Sequence, residues 1–509
     1  MTAPTATSDN GAPIRKLVIA GRDAAAWLAA NALMRAFGPT GLKVEVVELP
    51  TFVRAHDVFT SQPALEAFHG LLGLDEHEVL KACSGSYSLG QSFANFSGPR
   101  PPFLHPYGSH GAPVGKVPFH QTWLKARQSG MNVAFENFSL TAVAAQQGRF
   151  FTANTEIASF ARCDYAYHLD ALAYVHYLKA HALRQGVTVT PARRLTANLN
   201  ADGSAIRSLA LGDGTVVDGD LFIDATGAES LLLGQALGVG VDSWAAWFPF
   251  DRVLTGAGPR MRTLPSYSQV RAQEIGCLHM APTQSQTAVT YAYRSVISDD
   301  EAFRDMTVAA GMHLRPDATV SPLAAGRRRK AWSGNCIGLG EAACVFDPVD
   351  SPSLHSIQLG LAHLIALFPL DSQCLTEATE YNLTLQSSLE RFRDFQIVHY
   401  KLNQLRDMAL WDAMRDQTPP PLLAHKLDLF AARGIVALYD NETFQLDDWL
   451  ACFIGHGLIP QAYDPLVDLT PQDEAIRSVQ GILGFIRQHV EDMSSLDAYL
   501  ELFAARDFA

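Results

Sequence analysis

Gly21, Asp23 and Ala26 stand in G-x-G-x-x-G spacing behind an apolar run, and an acid, Glu48, closes the next apolar run. That spacing is suited to holding a dinucleotide. The first glycine makes the turn, the second lets the backbone reach a pyrophosphate, and the third allows close helix–strand packing. The acid would bind a ribose hydroxyl, and the helix N-terminus would face the phosphates. Ala26 is a mild change, but Asp23 brings a side chain and a like charge to the phosphate point. Two unit charges ~4 Å apart cost about 1 kcal/mol in water and several in a drier site. Two readings stay open at this turn: a dinucleotide pocket, or a doubly wound fold whose pocket no longer takes one. Asp347 and Asp350 could be a tuned carboxylate pair, or Asp347 could simply cap a turn. Cys277 and His279, two apart on one strand face, lack a third metal ligand and read as core. His105, His110 and His120 show no zinc spacing and read as surface or loop residues. No metal site is expected.

The elements that must position these groups follow from periodicity. Leu17 to Ala20 is a short apolar run, as in a strand buried on both faces. Ala24 to Phe37 favours a helix, which Gly38-Pro39 stops, and Val44, Val46 and Val47 make a second strand. Helices are expected over 63–72, 119–128, 168–185 and 354–368, with a strand over 87–96 and a meander over 192–217. Leu221 to Gly227 is a strand entering a glycine turn, and Asn335 to Ala343 is another, bringing Gly227, Gly340 and Glu341 toward one place. Residues 244–300 read as an antiparallel sheet inserted in the α/β domain. From 375 onward the pattern is helical, with a longest helix of roughly 375–415. The expected architecture is α/β: a doubly wound domain over 14–370, the inserted sheet, and a C-terminal helical region over 375–509.

Length and composition bound the rest. A chain of 509 residues with 48% hydrophobic and 18% charged residues reads as globular. A net charge of -13 argues against nonspecific nucleic-acid binding and against anionic membranes. The seven scattered cysteines, with no C-x-x-C, suggest reduced thiols and a cytoplasmic location. Residues 1–13 read as a disordered tail, and no apolar run reaches the ~20 residues a membrane span needs.

Six ordered blocks resemble the flavin-dependent tryptophan halogenases over nearly the whole chain. They are PALEAFHGLLGLDE at 63–76, YAYHLDALAYVHYLKAHA at 165–182, DLFIDATGAESLLLGQALG at 220–238, GNCIGLGEAACVFDPVDS at 334–351, ERFRDFQIVHYKL at 390–402 and DWLACFIGHGLIP at 448–460. The resemblance implies a flavoprotein-monooxygenase-like fold, with the three glycine turns meeting around FAD. It also implies reduced FAD from a separate flavin reductase, and a hypohalous acid carried to a lysine beside a glutamate. An amine can capture electrophilic halogen, and a carboxylate can take the proton the ring loses.

The family's T-F-K-L-G block reads Ser86-Tyr87-Ser88-Leu89-Gly90 here, placing Ser88 at the lysine. Its P-x-E-S-T-G block reads Pro348-Val349-Asp350-Ser351-Pro352-Ser353, placing Asp350 at the glutamate, Ser351 at the following serine, and a proline where a backbone N–H would face halide. Its paired-tryptophan block reads Cys277 to Pro282, and the G-E-A-T loop along the flavin reads Val58 to Ser61. Because these positions change together, the expectation is weak or absent FAD binding and no halogenation. The expected partner is then a small aromatic ligand, a peptide or a paralogue, and a homodimer is a further expectation. The alternative is an active halogenase or monooxygenase acting on an indole or other electron-rich aromatic.

Overall fold

The computed structural model describes residues 13–113, 117–372 and 374–504. The tail expected over 1–13 therefore lies, except for its last residue, outside the described residues.

Six strands form the organising sheet: β1 (Lys16–Gly21), β2 (Lys43–Glu48), β3 (Thr188–Pro191), β4 (Leu221–Ala225), β5 (Trp332–Ser333) and β6 (Cys336–Gly338). Their order is β5-β6-β4-β1-β2-β3, all parallel except the β5–β6 pair. β1 lies at the centre, and Gly21 faces Ala225 on one side and Glu48 on the other. The apolar run of β1 divides between two cores. Leu17 and Ile19 join the large cluster, while Val18 and Ala20 join a second one on the opposite face. A parallel sheet needs both faces covered. Here α1 (Asp23–Phe37) and α2 (Ala171–Arg184) pack on one, and the meander strands Leu195–Leu199, Ile206–Leu211 and Val216–Asp218 cover the other. The helix expected at 168 starts later, because 166–170 is a strand and the Asp170 carboxylate caps α2 by accepting from Ala173 N at 2.9 Å.

The inserted sheet is wider than 244–300. That interval supplies four of its seven strands, and Gly90–Ala94, Phe103–Pro106 and Thr319–Pro322 complete it. The strand expected over 87–96 is in fact two, Ser86–Ser88 and Gly90–Ala94, in different sheets. The chain crosses over at Gly90, where a Cβ would stand 2.3 Å from the His105 carbonyl oxygen. One face of the inserted sheet packs on helix Asp299–Ala310 through Leu254, Leu278 and Tyr291.

The C-terminal helices share the main core with the doubly wound sheet. Phe392, Phe395, Trp411, Phe430, Trp449 and Phe453 all belong to the cluster that contains Ile19 and Trp27. α3 (Pro352–Ala366), α4 (Glu377–Lys401) and α5 (Leu446–Gly455) carry the groups used below. The expected helix over 375–415 breaks after α4. There the Asn403 amide donates to the Tyr400 and Trp411 carbonyls, and a separate helix, Ala409–Asp416, follows. Among the described residues no helix is long and apolar enough to cross a membrane.

Candidate functional site

The glycine turn after β1 keeps its backbone shape and changes its contents. Asp23 has φ +56, in the left-handed region that favours glycine. Gly21 is demanded by packing, since a Cβ there would lie 2.5 Å from the Ala225 carbonyl oxygen. Ala26, in the first turn of α1, is fully buried, and the third position needs only a small side chain. A helix N-terminus favours an anion, and at α1 the chain supplies one itself in Asp23. That carboxylate accepts from the Thr51 hydroxyl and, at 3.1 Å, from the Phe52 backbone N–H. Arg22 lies against the Phe52 ring, 3.7 Å from its centroid, and its Nη2 meets Glu229 at 3.1 Å. Residues 51 and 52 are thereby drawn across the turn.

Two chambers are lined by residues of this region. Thr51, Asp23, Trp27, Glu48 and Lys179 line one of 500 Å³. Val53, Asp57, His279, Glu341 and Ser351 line another of 320 Å³. Glu48 holds the place expected for a ribose ligand, but both its oxygens accept from Lys179 Nζ at 2.7 Å. Gly227 (φ +81) and Gly340 (φ +57) make their two turns as expected, and Glu341 Oε2 lies 3.8 Å from where a Gly227 Cβ would stand. The three turns thus meet as a dinucleotide frame. The phosphate point does not fit the group: it holds a carboxylate, and Glu341 adds a second acid beside it.

Ser88 is buried, and its hydroxyl donates to the Gly90 carbonyl at 2.9 Å. Asp350 and Ser351 have φ of +62 and +53, consecutive left-handed non-glycine residues worth roughly 1–3 kcal/mol of strain each. Gln62 donates to the Asp350 carbonyl at 2.5 Å and Gln91 to the Ser351 hydroxyl at 3.1 Å, and these contacts hold the pair. Pro352 opens α3, where a missing N–H costs nothing. The Asp350 carboxylate is wholly enclosed. Its Oδ2 meets His399 Nε2 of α4 at 3.1 Å, and His399 Nδ1 meets His456 Nε2 at 3.0 Å. Phe93 stacks on the His399 ring at 4.2 Å. Asp350 Oδ1 has no hydrogen-bond partner among the described residues.

Asp347 serves both roles weighed for it. It caps its turn through Val349 N at 3.1 Å and accepts from Tyr400 OH at 2.9 Å. Burial, reinforced by the Asp350 charge and opposed by those two donors, pushes its carboxyl up to about 7. Cys277 is buried, and burial pushes its thiol far up. His279 is different: it lines the 320 Å³ chamber, and its Nε2 is enclosed without a partner.

His105, His110 and His120 are not surface residues. All three are buried beneath the C-terminal helices. His105 meets Asp448 at 3.1 Å, His120 meets the Gly434 carbonyl at 2.8 Å, and His110 stacks on Phe135 at 4.5 Å. Their sequence segment looked like an open loop because its cover comes from residues more than 300 positions away. Lys179, His399, His456, Gln62 and Gln91 had no separate signal in spacing. Lys179, His399 and His456 did fall inside three of the resembling blocks.

The tryptophan halogenase family model matches residues 16–472. The chain is 32% identical to BrvH, a flavin-dependent halogenase from Brevundimonas sp. BAL3, with a TM-score of 0.91 over 96% of this chain and 99% of that one. It is 28% identical to Xcc4156, a flavin-dependent halogenase from Xanthomonas campestris, with a TM-score of 0.92 over 97% and 99%. It is 25% identical to the tryptophan 6-halogenase SttH of Streptomyces toxytricini over 96% of this chain and 98% of that protein. The cofactor of such proteins is FAD, the group this three-turn frame is built around. On the match of fold and sequence over nearly its full length, the chain belongs to the tryptophan halogenase family.

Proposed function

We propose that this chain keeps the family fold without its chemistry: it holds FAD weakly or not at all, does not halogenate, and uses the cleft to bind a small aromatic ligand rather than a peptide or a paralogue. The observation that carries the reading is the Asp23 carboxylate at the phosphate point, tied down by Thr51 and Phe52. Supporting it, the Ser88 hydroxyl offers no amine and is already engaged with Gly90.

A second reading, a working FAD-dependent halogenase or monooxygenase on an indole or other electron-rich aromatic, is favoured by one observation. Asp350 keeps a carboxylate with one oxygen unpartnered at the position of the family's glutamate. That reading also requires a flavin reductase as partner.

Titration with oxidised and reduced FAD tests the proposal. We expect no stoichiometric complex, and about tenfold stronger residual binding in Asp23→Gly, which removes the like charge and releases residues 51 and 52. A yellow protein that carries one FAD per chain through gel filtration would sink the proposal.

A further inference from the structure

The turn at residues 347–351 is strained, dry and doubly acidic, and the 320 Å³ chamber is built against it. Pro348, Ser351, Pro352, Ser353 and Ser356 line that chamber, so this turn and the first turn of α3 form a continuous part of its wall. Asp350 and Ser351 are kept in the left-handed region by groups outside the turn. Gln62 donates to the Asp350 carbonyl and Gln91 to the Ser351 hydroxyl. From α4, Gln396 donates to the carbonyls of Asp347 at 2.9 Å and Val349 at 2.5 Å. Three glutamines from three separate segments thus fix one short stretch of backbone. Strain of this kind persists only where the surroundings over-determine it, and it gathers at ligand clamps and switch regions.

Two carboxylates are closed into this turn, each half satisfied. Asp347 Oδ1 accepts from Val349 N and Tyr400 OH, and Asp350 Oδ2 meets His399 Nε2. Asp347 Oδ2 and Asp350 Oδ1 are enclosed with no hydrogen-bond partner among the described residues. The titratable groups that face the pair come from several elements. They are His399 and Tyr400 on α4, Cys277 and His279 on strand Gly276–Pro282, Tyr107 after strand Phe103–Pro106, and Cys452 on α5. No lysine or arginine is among them. A second carboxylate charge, taken out of water and set beside the first with no cation to offset it, is costly. Burial, reinforced by the Asp350 charge, accordingly pushes the Asp347 carboxyl up to about 7. A proton neutralises Asp347 in mild acid and leaves for solvent in mild alkali.

We propose that the turn 347–351 is a proton-operated gate in the wall of the 320 Å³ chamber, closed while the Asp347–Asp350 pair keeps a proton and opened when that proton is lost. With Asp347 neutral, the three glutamines outweigh the strain and the wall stands as described. With both acids charged, repulsion adds to the strain already stored at Asp350 and Ser351. The turn then relaxes by giving up the Gln62 and Gln91 contacts, which brings the carboxylates to water and moves Ser351 and Ser353 out of the wall. The sign follows from linkage: a raised carboxyl lends stability that is present in acid and lost as pH rises through its folded value. The gate is independent of what the chamber holds, and so stands apart from the lost-cofactor reading.

The test is amide hydrogen exchange of the full-length protein, read by mass spectrometry between pH 6.5 and 8.5 and corrected for the intrinsic pH dependence of exchange. Peptides spanning 347–357 report the Val349 N–H and the first turn of α3, and peptides from β1 report the core. Protection over 347–357 is expected to fall about tenfold across this range while β1 stays protected. In Asp347→Asn, which keeps the shape and removes the titration, protection should be high and flat. In Tyr400→Phe the midpoint should move to higher pH, because the lost hydroxyl favours the charged form of Asp347. A structural role for Tyr400 alone would lower protection equally at every pH and leave the midpoint in place. Three results overturn the proposal: a flat profile in the parent, a fall that persists unchanged in Asp347→Asn, or parallel loss in β1. Should Asp347→Asn fail to fold, Tyr400→Phe decides, and an unmoved midpoint there overturns the gate.

Discussion

His399→Leu is expected to destabilise the protein by about 3 kcal/mol, read as a lower midpoint in chemical denaturation. His399 is wholly buried between Asp350 and His456, at 3.1 and 3.0 Å. Whichever of the first pair holds the proton, removing the ring leaves the Asp350 carboxylate enclosed with neither oxygen partnered, because Oδ1 already lacks one. Breaking a buried pair from one side costs ~3–5 kcal/mol, far more than the intact pair contributes. The Phe93 stacking contact goes as well. The Asp350→Asn, His399→Leu double variant should recover much of the loss, since no enclosed carboxylate remains. A single variant within about 1 kcal/mol of the parent would mean that the chain Asp350–His399–His456 is not the buried network described here.

Acid should unfold this protein before its exposed carboxylates titrate. Burial favours the neutral form of several histidines: His69, His279 and His355 are pulled down to about 4, His168 to about 3, His456 well below its usual value, and His120 is lowered too. A group whose folded pKa is depressed contributes stability that is present above its unfolded pKa and lost as pH falls toward the folded value. For histidine that window runs from about 6.5 down to 4. Asp347 acts in the opposite sense. Its folded pKa of about 7 lies above the unfolded value, so its stability is present in acid and lost as pH rises through 7. Each deeply buried group contributes up to about 1.4 kcal/mol per pH unit within its window, and the lowered histidines outnumber the raised carboxyls Asp347 and Asp394, so the net slope is on the order of a few kcal/mol per unit. That is a large part of the ~5–15 kcal/mol that holds a typical domain folded. Urea midpoints measured at pH 7, 6 and 5 should fall steeply. In Asp347→Asn they should fall more steeply still, because the opposing group is gone. A flat profile between pH 7 and 5 would contradict these burial states.

What could be read from the sequence was local or periodic. The apolar run of β1, the alanines of α1 and the turn at Gly38-Pro39 specify strand, helix and stop from neighbours alone, and the structure follows them. The misfit at Asp23 was also legible, because a charged residue at a glycine position conflicts with both backbone and phosphate. Its resolution was not. That the carboxylate is tied to residues 51 and 52 depends on where a loop 28 positions later folds back. The same holds for Glu48, whose partner Lys179 is 131 positions away, and for His399 and His456, 57 positions apart, one on α4 and the other just past the end of α5. Such pairs leave no periodic trace. The crossover at Gly90 was missed for a different reason: YSLGQSFANF alternates well enough for one strand, and only the close approach of the His105 carbonyl shows why it must be two.

The central claim, a halogenase-family fold without halogenase chemistry, is tested most directly by mass spectrometry of an indole, phenol and peptide panel incubated with the protein, a flavin reductase, NADH, FAD and excess bromide. A positioned catalytic group contributes ~10²–10⁴-fold in rate. Ser88, at the family's lysine position, cannot hold halogen as an amine would, and its hydroxyl is bound to Gly90. The result we predict is no brominated product above that of the same mixture lacking the protein. Brominated product that forms with the protein and disappears in Asp350→Ala would contradict the account and show that the altered residues substitute for the family's chemistry.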